Sequence, residues 1–466
     1  MAGEIRTPQG PGTSQSNVLP YPDQALFLAL RGAGQDSVIQ IIWIYEHPVD
    51  LVALERFRDN WGSGWMARLI EPSPVPFGRH RWVSAPAPSA GLDVATHPRP
   101  RDELYDWADE QVQLPLDPQR GPAWRFAVQP LTDGSTAVSL LASHCIADGR
   151  AGIDSITDAV KGRVRKLDYP PPGSRTKARA IRSDLRQTLS DAGEIRRTVG
   201  KAVRVLTRRR AADGGSGERA TRARRKSRRG SSGPSLTLPS VALSVDIAQW
   251  DARAAELGGN SLSLLAGFAG RLAQHLGRVR ASDGAVTLMI PVSERADITV
   301  DTGGNVVSIA RVSIDPEPLT TDLSGARSAI RMGLKSAREK PDEMIELLPL
   351  IPFVPKRAVT SMADMAFGLS EDLPVSCSNM GDVPAELRYV DGTAAEYLFI
   401  RGMDRDLSRE LIERKRGVLT FISVRSEGAV IVTVIGYQPG RENSRTALRQ
   451  LVAQTLEEFN LTATII

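Results

Sequence analysis

The stretch that most limits how this chain can fold is SLLASHCIADGRAG, from Ser139 to Gly152. Small, apolar residues from Ser139 to Ser143 read as a buried strand, and that strand ends on His144. Cys145, Ile146 and Ala147 lead into an Asp148-Gly149 turn, after which Ala151, Ile153, Ile156, Ala159 and Val160 recur at helical spacing. A strand that brings an imidazole to a sheet edge and then hands over to a helix suits a general base. The strand fixes the ring, the turn leaves one face open, and an imidazole of pKa about 6.5 is mostly neutral at neutral pH. Asp148 is better suited to brace the loop through an arginine than to touch a substrate. Gly149 permits a close approach that a side chain would block. On these residues alone, a hydrogen-bonded histidine at a strand end is an equal reading of His144.

A chain of 466 residues is long enough for two or three domains. After a lead-in over residues 1–18 that reads as disordered, strand patterns at 38–45, 80–84 and 121–131 alternate with helical patterns at 51–61 and 101–112. TDGS, residues 132–135, is a hairpin turn, and its returning strand delivers His144. Residues 19–175 therefore predict an α/β lobe. A second lobe over 235–466 has strands at 241–247, 285–292, 306–312, 418–424 and 429–435. Helices are expected at 251–257, 261–276, 324–340 and 444–459, the second of them apolar nearly all round and so buried.

Between the lobes lies a basic insertion, residues 176–234. The net charge of +5 conceals it: residues 161–229 hold 23 basic and 6 acidic side chains, leaving 36 basic against 48 acidic elsewhere. Ile181, Leu185, Leu189, Ala192, Ile195, Val199, Ala202, Val203 and Leu206 recur every three or four residues and predict one amphipathic helix. Arg182, Arg186, Arg196, Arg197, Lys201, Arg204 and Arg208 fall mostly off its apolar stripe. GGSGERATRARRKSRRGSSG then reads as a disordered linker. Two readings stand: a linker helix docked on the lobes, or a surface anchor for anionic lipid through Arg196, Arg197, Lys201 and Arg204. Nucleic acid would attract the same charge, but no reading motif or interleaved aromatics accompany it, so none is expected as a partner.

No run of 18 apolar residues exists, and the amino terminus lacks the apolar core of a signal peptide. Two cysteines, Cys145 and Cys377, suit a reducing cytosol. A cytoplasmic protein is expected, peripheral at the inner face of the membrane if the basic helix anchors it. His47, His80, His97, His144 and His275 show no ligand spacing, so no metal is expected.

HCIADG, with GPAWR some twenty residues before it, PVSER after it and SNMGDVP later, resembles the superfamily of CoA-dependent acyltransferases. That superfamily includes peptide-synthetase condensation domains, polyketide-associated acyltransferases and bacterial wax ester synthase/diacylglycerol acyltransferases. The resemblance runs from about Leu19 to the carboxyl end, the basic insertion excepted. It implies two chloramphenicol-acetyltransferase-like lobes with an active-site tunnel between them. By the resemblance, His144 is the general base, Gly149 closes the motif, and Asp148 is a structural aspartate whose arginine partner is best matched by Arg295. Ser378 and Asn379 match an element beside the reacting centre. Ser143 stands where many relatives carry a first histidine. It and Trp124 of GPAWR are counted among the substrate-contacting residues.

The activity so implied is transfer of a long-chain acyl group from a CoA or carrier-protein thioester to a hydroxyl of a lipid-type acceptor. Beyond the thioester substrate it needs no cofactor. No covalent acyl-enzyme is required, so neither cysteine need be a nucleophile. Two rival readings are a non-catalytic scaffold of the same fold in lipid assembly and an amide-forming condensation enzyme, the latter favoured by SNMGD.

Overall fold

The computed structural model describes residues 4–5, 16–33, 35–86, 91–165, 167–212, 235–295, 303–339, 346–354 and 372–466. Helix α1 (Tyr21–Ala33) precedes the β-branched and aromatic run DSVIQIIWIY, which forms strand β1 (Asp36–Tyr45). Helix α2 (Leu51–Ser63) follows, its first turn capped by Asp50, whose side chain accepts from the Val52 and Ala53 amides. GPAWRFAVQPL enters the sheet only at β2 (Trp124–Pro130), after a proline that has no amide hydrogen to give. β3 (Thr136–Ser143) is buried at every residue, which accounts for its unalternating sequence TAVSLLAS, and α3 (Gly149–Val160) follows the turn after it.

The basic insertion departs from the expected single helix. It forms two, α4 (Lys177–Ser190) and α5 (Ala192–Ala212), separated at Asp191. The second half supplies β4 (Ser240–Asp246) and α6 (Ser261–His275), whose amino end is closed by a reciprocal Asn260–Ser263 capping box. Strands β5 (Val286–Ser293), β6 (Val307–Ile314), β7 (Val375–Asp382), β8 (Tyr397–Arg405), β9 (Val418–Ser426) and β10 (Ala429–Tyr437) follow. The helix expected from residue 251 starts earlier, at Ile247, because Asp246 caps it by accepting from the Gln249 amide. The low-complexity run GGSGERATRARRKSRRGSSG lies outside the described residues, as does most of the lead-in.

Two sheets carry the architecture. One has five strands in the order β8-β1-β3-β2-(Leu92–Val94), the other seven in the order β6-β5-β7-β9-β10-β4-(Ala463–Ile465). Mixed α/β layers in two lobes result, each with its own apolar core. Trp43, Trp61, Trp82 and Phe126 lie in the first, and Trp250, Phe268, Phe421 and Phe459 in the second. The halves of the chain and the sheets do not coincide, however. β8 belongs to the second half by sequence, yet it pairs along its length with β1, from Tyr397 opposite Ile44 to Arg405 opposite Asp36. Its Arg401 is fully buried, donating to Gln40 Oε1 at 2.7 Å and Ser240 Oγ at 2.9 Å, and pairing with Asp109 at 2.6 Å. One guanidinium thus joins the first sheet to the second, and its charge is compensated where water is excluded.

No described helix is long and apolar enough to cross a membrane.

Candidate active site

His144 sits at the tip of β3, next to the β1 end of the first sheet. Its amide donates to Ser37 O at 2.8 Å, and its carbonyl accepts from Asn305 Nδ2 at 3.0 Å. The backbone is therefore held from both halves of the chain, while the ring is only half-buried. Nδ1 is buried and has no hydrogen-bond partner among the described residues, so the protein does not commit that nitrogen.

Asp148 is occupied differently. Its Oδ1 accepts from the Ala151 amide at 2.8 Å and caps α3, while Oδ2 accepts from Arg295 Nη2 at 2.9 Å and from the Val306 amide at 3.1 Å. Both side chains of the Asp148–Arg295 pair are almost wholly shielded from solvent, at 4% and 1% exposure. With both oxygens committed, Asp148 cannot orient the His144 ring; it ties the histidine loop to the loop at residues 303–306. The Asp148 amide adds a bond to Gly304 O at 2.7 Å.

Sequence reasoning missed the group that holds the far side of this junction. Asp23, in the first turn of α1, is fully buried and accepts from the Gly304 amide at 2.7 Å, the Asn305 amide at 2.7 Å and Asn305 Nδ2 at 3.1 Å. Burial pushes its carboxyl up to about 6, against the pull of those hydrogen bonds and of the Arg68 charge. A Cβ on Gly304 would lie 3.0 Å from Asp23 Oδ1, so the loop approaches this closely because it has no side chain there. An acidic residue in a first helical turn ordinarily signals only a favourable helix dipole, and nothing local marks Asp23 as more.

Arg68, also missed, is fully buried between the Trp65 and Trp82 rings, 4.5 and 4.1 Å from their centroids, and donates to the Ile146 carbonyl in the histidine loop.

The SNMGD strand meets this loop from the second sheet. A Cβ on Gly149 would lie 2.6 Å from Met380 Cε, so β7 abuts the opening of α3 through that contact. Ser378 and Asn379 are half-buried neighbours of Met380 on β7, and Asn379 Oδ1 accepts from the Gly381 amide at 3.0 Å. The fold thus brings Asp148, Gly149, Arg295 and Met380 together at one junction of the two halves, with His144 on the same loop and Ser378 and Asn379 on the strand that carries Met380.

Other expected site residues are placed differently. Trp124, named among substrate contacts, is instead packed in the first core at 1% exposure, edge-on to Trp61, because its position on β2 directs the indole inward. Ser143 is buried, and its hydroxyl accepts from the Cys145 amide at 3.3 Å. Arg196, Arg197 and Lys201 are exposed on α5, where Lys201 pairs with Glu346 at 2.9 Å; the Arg204 side chain is outside the described set.

Burial pushes both the Cys145 and Cys377 thiols up to about 12, so each is protonated at neutral pH and unsuited to nucleophilic attack. Cavities of about 530 Å³ beside Tyr105, Tyr397 and Arg445, and about 390 Å³ beside Phe57, Asn60 and Tyr389, are lined without His144.

No known family model matches the sequence, and no curated protein does. Solved structures do match, over nearly the whole chain. The first condensation domain of the calcium-dependent antibiotic synthetase, in complex with a substrate analogue, aligns at TM-score 0.58 and 14% identity, covering 96% of this chain and 97% of that one. Polyketide synthase associated protein 5 from Mycobacterium tuberculosis aligns at 0.53 and 16%, covering 95% and 98%. The wax ester synthase/diacylglycerol acyltransferase from Marinobacter aquaeolei VT8 aligns at 0.52 and 15%, also covering 95% and 98%. The chain therefore has the two-lobed fold of the condensation domains and CoA-dependent acyltransferases.

Proposed function

We propose that the protein is an O-acyltransferase that uses His144 as general base. The imidazole takes a proton from an acceptor hydroxyl, and the oxygen attacks the carbonyl of an acyl thioester. The tetrahedral intermediate collapses, the carbon–sulfur bond breaks, and the leaving thiolate takes the proton back from the imidazolium, which restores the neutral base. An ester and a free thiol are the products. Ser378 and Asn379 orient the thioester or its developing oxyanion. Asp148, Arg295, Asp23 and Arg68 act as positioning residues, holding the loop so that both substrates meet the ring in a near-attack geometry. A tunnel between the lobes, a long acyl chain, a lipid-type acceptor and a cytoplasmic setting belong to the same reading. The long acyl chain and lipid-type acceptor draw support from the likeness to the wax ester synthase/diacylglycerol acyltransferase, and the tunnel from the two-lobed fold.

One observation carries the proposal: an imidazole whose backbone is bonded on both sides and which stays half-buried, its buried Nδ1 without a protein partner and its Nε2 free of hydrogen bonds among the described residues, so that Nε2 is the nitrogen left for a substrate. A histidine serving only as a structural strap would have that buried nitrogen satisfied. The test is thiol release from short- and long-chain acyl thioesters with candidate alcohols, His144→Ala serving as the blank. Thiol release unchanged in that variant would sink the assignment.

A second reading, amide formation, is favoured by the higher TM-score to a condensation domain and by SNMGD. Amine acceptors offered in the same assay discriminate between the two. If neither acceptor class supports His144-dependent release, the non-catalytic scaffold remains.

A further inference from the structure

The basic insertion meets the body of the protein with the opposite polarity to its apolar periodicity. Its inner face is polar: Asp184 is fully buried, accepting from Ser73 Oγ at 2.6 Å, Arg175 Nη1 at 2.8 Å and Arg81 Nε at 3.1 Å. Further along, Asp191 pairs with Arg79 at 3.4 Å, and Thr198 is buried at 4% exposure. The aliphatic side chains of α4 look outward. Ile181, Leu185 and Leu189 are 42%, 41% and 75% exposed, and Val199 on α5 is 46% exposed. Positions four apart on a helix form one stripe, so α4 carries a continuous aliphatic ridge in contact with water.

Arginines border that ridge. Arg182, Arg186, Arg196 and Arg197 are exposed, and none forms an ion pair among the described residues. The ridge also lacks the aromatic anchors that concentrate energy in protein interfaces. A second copy docked through the same ridge would face arginine with arginine, and the Arg-rich run at 219–229 carries the same sign of charge. What complements aliphatic side chains flanked by cations, without demanding a matching shape, is a sheet of anionic headgroups over hydrocarbon.

We infer that the outer face of α4 and the first turns of α5 form a docking surface for an anionic phospholipid bilayer. Ile181, Leu185 and Leu189 enter the headgroup–acyl boundary, and the bordering arginines meet the phosphates. The inference stands apart from the reaction at His144, since no residue of that junction takes part.

The full-length protein is sedimented with vesicles of phosphatidylglycerol and phosphatidylcholine in equal parts, and with pure phosphatidylcholine vesicles. Wild type is expected to partition onto the mixed vesicles and not onto the neutral ones. An interfacial arginine contributes roughly fivefold to binding, so Arg182→Gln with Arg186→Gln should weaken partitioning more than tenfold. Leu185→Ser with Leu189→Ser should weaken it comparably. These positions are exposed, and circular dichroism should match wild type. Turnover of a water-soluble thioester, where present, should be the same in all three proteins. Equal vesicle binding by wild type and both variants overturns the inference, as does absence of binding by wild type. A dimer in light scattering that Leu189→Ser dissociates would assign the ridge to a second copy and overturn it too.

Discussion

Asp23 and Asn305 are joined by two hydrogen bonds to one carboxylate oxygen, from the Asn305 amide at 2.7 Å and from its Nδ2 at 3.1 Å. The same Nδ2 donates to the His144 carbonyl at 3.0 Å. A buried carboxylate on the first helix is thus one shared amide away from the histidine backbone, although the three residues come from distant segments of the chain. Asp23→Asn places an amide where only acceptors are wanted, against two backbone N–H groups. The expected result is a fall in kcat of at least tenfold with little change in KM, and a loss of about 1–3 kcal/mol of stability. Asp23→Glu should restore part of the rate; a variant with unchanged kcat would remove Asp23 from the positioning set.

The titration of Asp23 has a definite sign. Its folded value of about 6 lies above the usual carboxylate value near 3.9, so between those pH values the folded protein holds more protons than the unfolded chain. The Asp23 contribution to stability is therefore largest below pH about 4 and declines as pH rises through about 6, by up to about 3 kcal/mol. Urea unfolding of wild type and Asp23→Asn at several pH values across that window checks this. The difference between them should change with pH only inside it, and a constant difference would contradict the shift.

The Asp148–Arg295 pair is shielded from water, so removing one member strands a charge. Arg295→Met or Asp148→Asn alone should cost about 3–5 kcal/mol, and the double variant clearly less than the sum. A double-mutant cycle by urea denaturation measures it. Additive losses would mean that the two groups are energetically independent despite their 2.9 Å separation.

Gly149 faces Met380 Cε at a distance no Cβ tolerates. The Met380 side chain is flexible and its end can move aside, so Gly149→Ala should cost at most about 1 kcal/mol, and Met380→Ala in the same chain should recover much of that loss. Thermal melting of the three variants tests the relationship; absence of recovery would place the strain elsewhere.

Both thiols are buried and protonated, so neither should react with an alkylating reagent at pH 8 until denaturant is added. Cys145→Ala should keep thioester turnover within a few-fold of wild type. Rapid native alkylation with loss of activity would restore Cys145 as a candidate nucleophile.

Much of the fold was legible because its signals are local. β3, the turn and α3 follow one another within residues 136–160, and strands β9 and β10 and the apolar helix α6 depend on neighbours a few positions away. The same holds for His144 at the tip of a buried strand. The order of four short motifs added a resemblance that named Arg295 as the partner of Asp148 across 147 residues.

What could not be read is what burial decides. Asp184 stands between Ile181 and Leu185 in the apolar periodicity, yet it is the residue that lies inward, because Arg81, Arg175 and Ser73 converge on it and turn the aliphatic ridge outward. β8 completes the first sheet from the second half, and Asp23, Arg68 and Asn305 reach the histidine loop from three distant segments. Periodicity reports which side chains prefer to leave water. Which of them can do so, and which charges may go with them, is set by partners that only the folded chain brings within hydrogen-bonding distance.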